Sequence, residues 1–484
     1  MAPPGPGYKP VISPQGSRGR HPTANVDRAE NLKQETAEAP RPAHAPTGPP
    51  DSDREPPGRR QRQDAAPRRL RWVEPWYATY ALLGAARNGL VPILLPLAVG
   101  LSGGAAQAGL VMGAVSLGGL SAPLWGRLAD RRRLHRWILV GGLLATAAAL
   151  VGFALVLAPY ARIALALMLG VSMSAANTVA TLFVVEVHPK EEWGQRIGWL
   201  QTFFGVGHTA GLLLAGALGR LDWSLGLLIA AGLALAAAPV GWATTTTPPA
   251  RLPRRPPVVR PAPAGEWPPL GPLRHHNHLT GAAVRQLRRG LRSRFGLFMG
   301  LWTLAFIGSS GVFSLYPLAM QEQFGISPAV SATAFAVATG ASIFLYTPAG
   351  GWVRRFGPTR VLQAGLGLRV LAFAGLAALA FIPGSDQAWL APPAAGLGIL
   401  AWSLLSVSGT GLVTGLSPLG RGETLGIYNA FTALAGAIGA ALGGWVVAHL
   451  GYGALCAAAT VAILLSLGAS GITRKGPERT RRRR

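Results

Sequence analysis

Charged residues are scarce in this chain, at 13% of its 484 residues, whereas a soluble domain carries about a quarter. Hydrophobic residues make up 50% of the sequence. The net charge of +26 would suit a nucleic-acid-binding protein, but the basic residues lie in tails and loops and are nearly absent from the apolar stretches. We therefore expect no nucleic-acid partner, and we predict a membrane protein whose basic loops lie at anionic lipid headgroups.

Cysteine is represented by Cys456 alone, which excludes a disulfide or a cysteine-ligated metal site within one chain. The sequence also lacks a phosphate-binding loop, a zinc-binding His-Glu-x-x-His pattern and a nucleophile–base set. His275, His276 and His278 are close together in a predicted loop, an arrangement that binds metal only weakly. We predict that the protein is not an enzyme and has no resident cofactor or metal.

Twelve apolar stretches are each long enough to cross the roughly 30 Å hydrocarbon core of a bilayer as a helix. They lie near residues 76–100, 106–126, 137–158, 162–186, 196–218, 223–244, 295–319, 328–350, 361–382, 389–413, 424–447 and 452–472. The predicted fold class is therefore an all-α integral membrane protein with twelve transmembrane helices.

The polar segments divide the chain into five parts. Residues 1–72 form a Pro- and Arg-rich tail that we expect to be disordered, because it has little hydrophobic surface to bury. Residues 73–244 and 295–473 each hold six spans, residues 245–294 form a basic central linker, and residues 474–484 form a basic tail. We expect both tails and the linker to be cytoplasmic.

This orientation follows from the basic residues, which are enriched in cytoplasmic loops. Those near the second and eighth spans are Arg127, Arg131, Arg132, Arg133 and Arg136, and Arg354, Arg355 and Arg360. The loops on the other side contain only Arg162 and Arg220 as basic residues. We predict a multi-pass protein of the cell membrane with both termini in the cytoplasm.

Landmarks in the first six spans recur in the last six in the same order. The matched landmarks are Leu94-Leu95-Pro96-Leu97-Ala98 with Leu315-Tyr316-Pro317-Leu318-Ala319, Gly126 with Gly350, and Gly194, Gly198, Gly211 and Gly216 with Gly422, Gly426, Gly439 and Gly444. The spacing between partners grows slowly, from 221 to 224 to 228 residues. We predict two homologous six-helix halves around a central cavity.

The segment after the second span resembles the signature between helices two and three of the major facilitator superfamily, roughly G-x-L-A-D-R-x-G-R-R. The matching residues are Gly126, Leu128, Ala129, Asp130 and Arg131, and Arg133 stands where the second glycine is usual. The second copy begins at Gly350 and keeps Arg355 and Gly357, with Arg354 in place of the acid. We expect both copies to lie in loops that begin at Gly126 and Gly350.

The resemblance implies a secondary transporter that moves a small organic solute by alternating access, with efflux as one possible direction. It also implies that the two copies of the motif form a cytoplasmic gate, in which Asp130 pairs with arginines and helix N-termini when the halves close. Glu191 to Arg196 resembles the acidic and Arg-Gly loop before helix five of the family. A topogenic basic loop is the simpler alternative for the arginines of the motif.

Polar residues in the middle of apolar spans are functional candidates, because they are costly in lipid. Arg87 and Asn88 lie halfway along the first span, Asn177 in the fourth and His208 in the fifth. In the family, helices one, four and five border the cavity, which implies that these four residues face one lumen and that Arg87 favours an anionic group. A structural role, in packing or in joining helices, is the alternative for each.

Other polar residues are secondary candidates. Asn429, Ser309 and Ser310 lie in spans of the second half, and Arg369 in the ninth span is interpreted as snorkelling or structural. No acidic residue lies in mid-span, so ion coupling and uniport both stay open. We expect a monomer, and a non-transporting receptor or scaffold with the same fold is the alternative function.

Overall fold

The computed structural model of the chain describes residues 73–132, 134–188, 192–218, 222–245, 293–382, 387–417 and 421–471. Within these ranges the regular secondary structure is helical and contains no strand. The predicted tails and most of the predicted linker lie outside the described residues, as do the three histidines of that linker.

Nine helical segments of the described ranges are long and apolar enough to cross a membrane. Two of them, Tyr77–Ala129 and Thr424–Ser470, have 53 and 47 residues, which is enough for two crossings each. Each is broken by one glycine in the left-handed region, Gly104 at φ 77° and Gly451 at φ 82°. Trp193–Leu218, with 26 residues, is more polar and completes the set of twelve spans.

We number the spans α1 to α12 in chain order. They are α1 (77–103), α2 (105–132), α3 (His135–Leu155), α4 (Pro159–Val187), α5 (Trp193–Leu218), α6 (Trp223–Thr244), α7 (Arg294–Ser314), α8 (Pro328–Phe356), α9 (Pro358–Phe381), α10 (Ala391–Leu416), α11 (421–450) and α12 (452–470). Tyr316–Leu318 and a π-turn at Ala319–Gln323 extend α7.

The predicted loops at Gly126 and Gly350 are wrong. Helix α2 continues to Arg132 and α8 continues to Phe356, so both copies of the motif form the last turns of a helix. No residue between Gly126 and Arg132 requires a turn conformation. In α8 the helix ends where Gly357 adopts a positive φ of 84°.

Two seams of small residues join the halves. Along the α2–α11 seam, a Cβ on Gly109 would lie 2.5 Å from the carbonyl oxygen of Ala440. Along the α5–α8 seam, a Cβ on Gly216 would lie 3.1 Å from the carbonyl oxygen of Ala329. Because glycine allows this close approach, the halves pack backbone to backbone without ion pairs between the described residues of the seams.

The seams open toward the end of the bundle that carries Arg127, Arg354 and Arg355, which we call the basic end. The last close contacts of the seams are Gly119 with Ala433 and Gly205 with Ile343. Beyond them, a Cβ added to a seam glycine would have almost no neighbouring atom within 4 Å. These glycines are Gly126, Gly198, Gly350 and Gly426.

The repeat is visible in the backbone as well as in the sequence. Gly104 and Gly325 are 221 residues apart, and each adopts a positive φ after the first helix of its half. The tight contact between α1 and α5 at Gly89 and Gly211 matches the contact between Gly311 and Gly439. The spacing from Gly89 to Gly311 is 222, so the first half holds one extra residue near the middle of α1.

Candidate functional site

A π-turn interrupts α1 halfway across the bundle, at Ala85–Leu90. A π-turn contains one residue more than an α-helical turn, which agrees with the extra residue of the first half. Arg87 and Asn88 both belong to it. On the other side of the turn, a Cβ on Gly89 would lie 2.5 Å from the Cα of Gly211 in α5, so the turn is held against that helix.

Tyr80 is the centre of a polar cluster on this part of α1. Its hydroxyl donates a short hydrogen bond to Oδ1 of Asn177 in α4. The side chains of Gln201 in α5 and Arg87 lie close enough to the same hydroxyl to act on it electrostatically. Three helices therefore contribute to one polar surface.

The remaining two predicted residues join this cluster through the π-turn. His208 in α5 lies between two close contacts of α5 with α1, and the backbone of Asn88 lies near its ring. Gly207, the neighbour of His208, packs directly on the carbonyl oxygen of Ala81, which brings α5 against the first turns of α1. The structure thus brings together Arg87, Asn88, Asn177 and His208.

The guanidinium of Arg87 has no protein partner among the described residues. No hydrogen bond or ion pair to it is found there, and Arg87 is only partly buried although it lies in mid-span. Its nitrogens do not belong to the buried polar atoms without a partner, so they keep some exposed surface. A guanidinium in mid-span without a described protein partner is costly in lipid and therefore has to be explained.

Two buried arginines of the described spans, Arg369 and Arg162, are structural by comparison. Arg369 is 5% exposed and donates to Ser309 Oγ at 2.7 Å and to the carbonyl oxygen of Gly398. Arg162 is 2% exposed and donates to Val156 O at 3.0 Å and Ser102 Oγ at 2.8 Å. The prediction of a loop position for Arg162 is wrong, because its hydrogen bonds allow the guanidinium to be buried in the first turn of α4.

The sequence predictions missed Tyr80 and Gln201. Each lies seven residues, or about two helical turns, before a predicted residue on the same helix: Tyr80 before Arg87, and Gln201 before His208. Tyrosine is common near membrane interfaces, and Gln201 lies close to the start of its predicted span, so neither residue stood out. A search for polar residues at this spacing would have found both.

The second half presents aromatic rings at the position that matches Tyr80, because Trp302 follows Tyr80 by 222 residues, as Gly311 follows Gly89. Trp302 and Phe306 of α7 pack against Trp402 of α10, with ring centroids 5.8 to 6.3 Å apart. Trp302 also packs against Tyr428 of α11 and donates to Thr432 Oγ1 at 3.0 Å. The secondary candidates Ser309 and Ser310 hydrogen-bond to protein atoms, whereas Asn429 is exposed.

The predicted gate residues lie at the basic end. Ala129 is buried and Leu128 packs beside it against the core of the first half, while a Cβ on Gly126 would be 3.9 Å from Thr178 of α4. The side chains of Asp130 and Arg131 lie outside the described residues. In the second copy, Gly350 and Gly357 lie near the end of α8, and Arg355 is exposed.

A charged network ties the start of α1 to the start of α5 at the same end. Arg196 Nε donates to Glu192 Oε2 at 2.8 Å, and Arg196 also pairs with Glu74. Glu74 accepts from His188 Nε2 at 2.7 Å, at the end of α4. Arg196 of the predicted acidic and Arg-Gly loop therefore pairs within its own half. No group of three or more metal-binding side chains is found in the described part of the chain.

Comparisons with known proteins agree with this architecture. A model of the family described as Major Facilitator Superfamily matches residues 76–413 and 297–484. No curated protein sequence matches the chain at a significant level.

Solved structures with this fold include the nucleoside transporter NupG, at 14% identity and a TM-score of 0.63, covering 82% of this chain and 97% of that chain. A bacterial homologue of the human lysosomal transporter Spinster, inward-facing and unoccupied, has 16% identity and a TM-score of 0.58, covering 84% and 95%. A D-xylose–proton symporter has 15% identity and a TM-score of 0.61, covering 82% and 96%. The predicted fold of twelve helices in two halves is confirmed.

Proposed function

Because the chain belongs to the Major Facilitator Superfamily and is therefore a secondary transporter, not an enzyme, we propose that it carries a small organic anion by alternating access. Structures with the same fold are named for a nucleoside and for D-xylose, which supports a small organic solute. The anionic character of the substrate is inferred from the chain's own residues.

The free guanidinium of Arg87 carries this proposal. Insertion scales give a central arginine a cost of about 2.5–3.5 kcal/mol, and no described acid or carbonyl offsets it here. A carboxylate or another planar oxyanion would bind the guanidinium through two parallel hydrogen bonds. Tyr80, Asn177 and Gln201 would provide further hydrogen bonds beside it.

The proposal is tested with purified protein and a panel of small carboxylates, neutral solutes and amines. We expect carboxylates to raise the unfolding temperature, and we expect liposomes containing the protein to exchange the same carboxylates. Stabilisation only by amines or neutral solutes would contradict an anionic substrate. Stabilisation by carboxylates without any uptake or exchange would instead favour the receptor alternative.

We place the cytoplasmic gate at the basic end. The α2–α11 seam pairs Gly119 with Ala433, and continuing it by two helical turns brings Gly126 opposite Gly426. The α5–α8 seam pairs Gly205 with Ile343, and the same continuation brings Gly198 opposite Gly350. Closing the basic end would therefore extend both seams with glycines.

In this closed state, Asp130 of α2 would meet the start of α11, which carries Arg421. Asp130→Asn should lower transport about tenfold or more without loss of membrane insertion, because the closed state loses a charge-assisted contact. Uptake into liposomes and expression level measure the two effects. Asp222→Asn is the matched control, because Asp222 caps α6 at the opposite end and asparagine caps as well. Full transport by Asp130→Asn would remove the gate role.

We propose that both termini are cytoplasmic in the cell membrane, with anionic headgroups around the basic end. In a Cys456→Ala background, cysteines at Gly103 and Leu450 should react with an impermeant maleimide added to intact cells, because both positions are exposed at the opposite end. Cysteines at Ala2 and Lys475 should react only after the cells are opened. The reverse pattern would invert the topology.

A further inference from the structure

Two amide side chains occupy matching positions in the two halves. Gln201 lies three residues after Gly198 in α5, and Asn429 lies three residues after Gly426 in α11. The spacing of 228 residues between them is that of the matched glycines of these helices. Both side chains are exposed, although both helices are apolar spans.

Asn429 points toward the opposite half rather than toward lipid. Ala433 and Gly436, one and two turns further along the same face of α11, pack against Gly119 and Ser116 of α2. This face therefore contacts α2 as long as the two helices run together. Asn429 is the next residue on the face, at the point where the seam has opened.

Gln201 has the same relation to the other seam. Gly205, one turn further along α5, contacts Ile343 of α8. Gln201 lies just beyond this contact and near the hydroxyl of Tyr80, in the cluster that contains Arg87. The repeat thus places Asn429 on the facing wall, at the level of the polar cluster.

We propose that Asn429 binds the substrate, and that the substrate has an uncharged hydrogen-bonding group opposite its anionic end. This rests on the proposed function. Arg87 and Gln201 on the first half hold the anionic end, and Asn429 on the second half donates to and accepts from the uncharged end. The wall around Asn429 suits a neutral group, because Arg369, the mid-span charge of the second half, is bonded to Ser309 and Gly398.

A side-chain amide has one acceptor oxygen and two N–H donors, so it forms hydrogen bonds with a hydroxyl or another amide. It forms no hydrogen bond with an alkyl group. A buried polar group without a partner costs free energy. The substrate class is therefore an organic acid with a distant hydroxyl or amide, rather than a simple fatty acid or a dianion.

The test uses carboxylates with a terminal carboxamide, namely succinamate, glutaramate and adipamate, beside acids of the same shape, namely 4-methylpentanoate, 5-methylhexanoate and 6-methylheptanoate. Dissociation constants are measured by quenching of tryptophan fluorescence in purified protein. We expect Asn429→Leu to weaken binding of the tightest-binding amide acid about threefold to tenfold. Binding of the branched acid of the same shape should be unchanged or tighter. Thr202→Val is the control, because Thr202 bonds to its own helix backbone.

Equal weakening of both acids by Asn429→Leu would overturn the proposal, since it would indicate a general structural effect. Unchanged dissociation constants with slower exchange would overturn it too, and would make Asn429 part of the closing seam. If Asn429→Leu fails to fold, Asn429→Ser keeps a polar group and should retain part of the preference. If none of the six acids binds and neutral solutes bind instead, the substrate is not an anion. This outcome would contradict the proposed function itself and differs from the outcomes that concern Asn429 alone.

Discussion

Arg87→Leu should abolish binding and exchange of the organic anion while the protein still inserts and unfolds at an unchanged or higher temperature. The guanidinium has no described protein partner, so its removal breaks no internal hydrogen bond. The substitution also removes the insertion cost of about 2.5–3.5 kcal/mol. Loss of a desolvated charge-assisted pair should weaken anion binding by two orders of magnitude or more.

Arg87→Lys separates the contribution of the positive charge to anion binding from that of the planar guanidinium. Lysine keeps the positive charge but lacks the planar fork, so we expect an intermediate loss of affinity, about tenfold. Arg360→Gln is the control for net charge, because Arg360 is exposed at the start of α9. Dissociation constants and unfolding temperatures measured on the three variants show whether Arg87 binds the anion and whether its planar shape contributes. Unaltered affinity of Arg87→Leu would make Arg87 structural and leave the site to Asn88, Asn177 and His208.

Gly211→Val should prevent the first half from folding. A Cβ on Gly211 would collide with the backbone of Ala85 in the π-turn, and backbone atoms cannot move aside as a flexible side chain can. Even Gly211→Ala should cost about 1–3 kcal/mol, because α1 and α5 would have to separate. This separation would also move His208 away from the backbone of Asn88, so the surviving protein should bind anions poorly.

The comparison that tests this packing is Gly232→Ala in α6, where a Cβ would have no atom within 4 Å. We expect Gly232→Ala to purify as wild type, whereas Gly211→Val should give aggregated protein in size-exclusion chromatography. Similar yields and unfolding temperatures for Gly211→Ala and Gly232→Ala would show that the α1–α5 contact tolerates a methyl group.

The spans were predictable because the hydrocarbon core requires about twenty apolar residues in a row, a condition that few other structures satisfy. The loops were harder to predict from the sequence. The interpretation of Gly126 and Gly350 as loop starts rested on glycine and charge, but both helices continue through these positions, to Arg132 and Phe356. Only Gly357 marks the true end of α8, and its positive φ is not visible in the sequence.

The site was predictable in part. Predicted depth in the membrane made Arg87, Asn88, Asn177 and His208 candidates, since a polar side chain there has to be explained, and the structure places them near one another. Depth could not predict that Tyr80 would join Arg87 to Asn177, because Tyr80 lies nearer the end of α1. The π-turn that holds Arg87 was also hidden, because its extra residue appears only when contacts of the two halves are matched.

That extra residue has a consequence for how the two halves diverged after duplication. A difference of one residue between the copies leaves both seams intact, because these lie on other helices, yet it changes the direction of the side chains in one turn of α1 relative to α7. The chemistry of the two walls could then evolve separately while the rocking scaffold stayed the same. A molecule held between two different walls has one preferred orientation. The extra residue of α1 therefore makes the two binding surfaces of a nearly two-fold symmetric scaffold distinguishable.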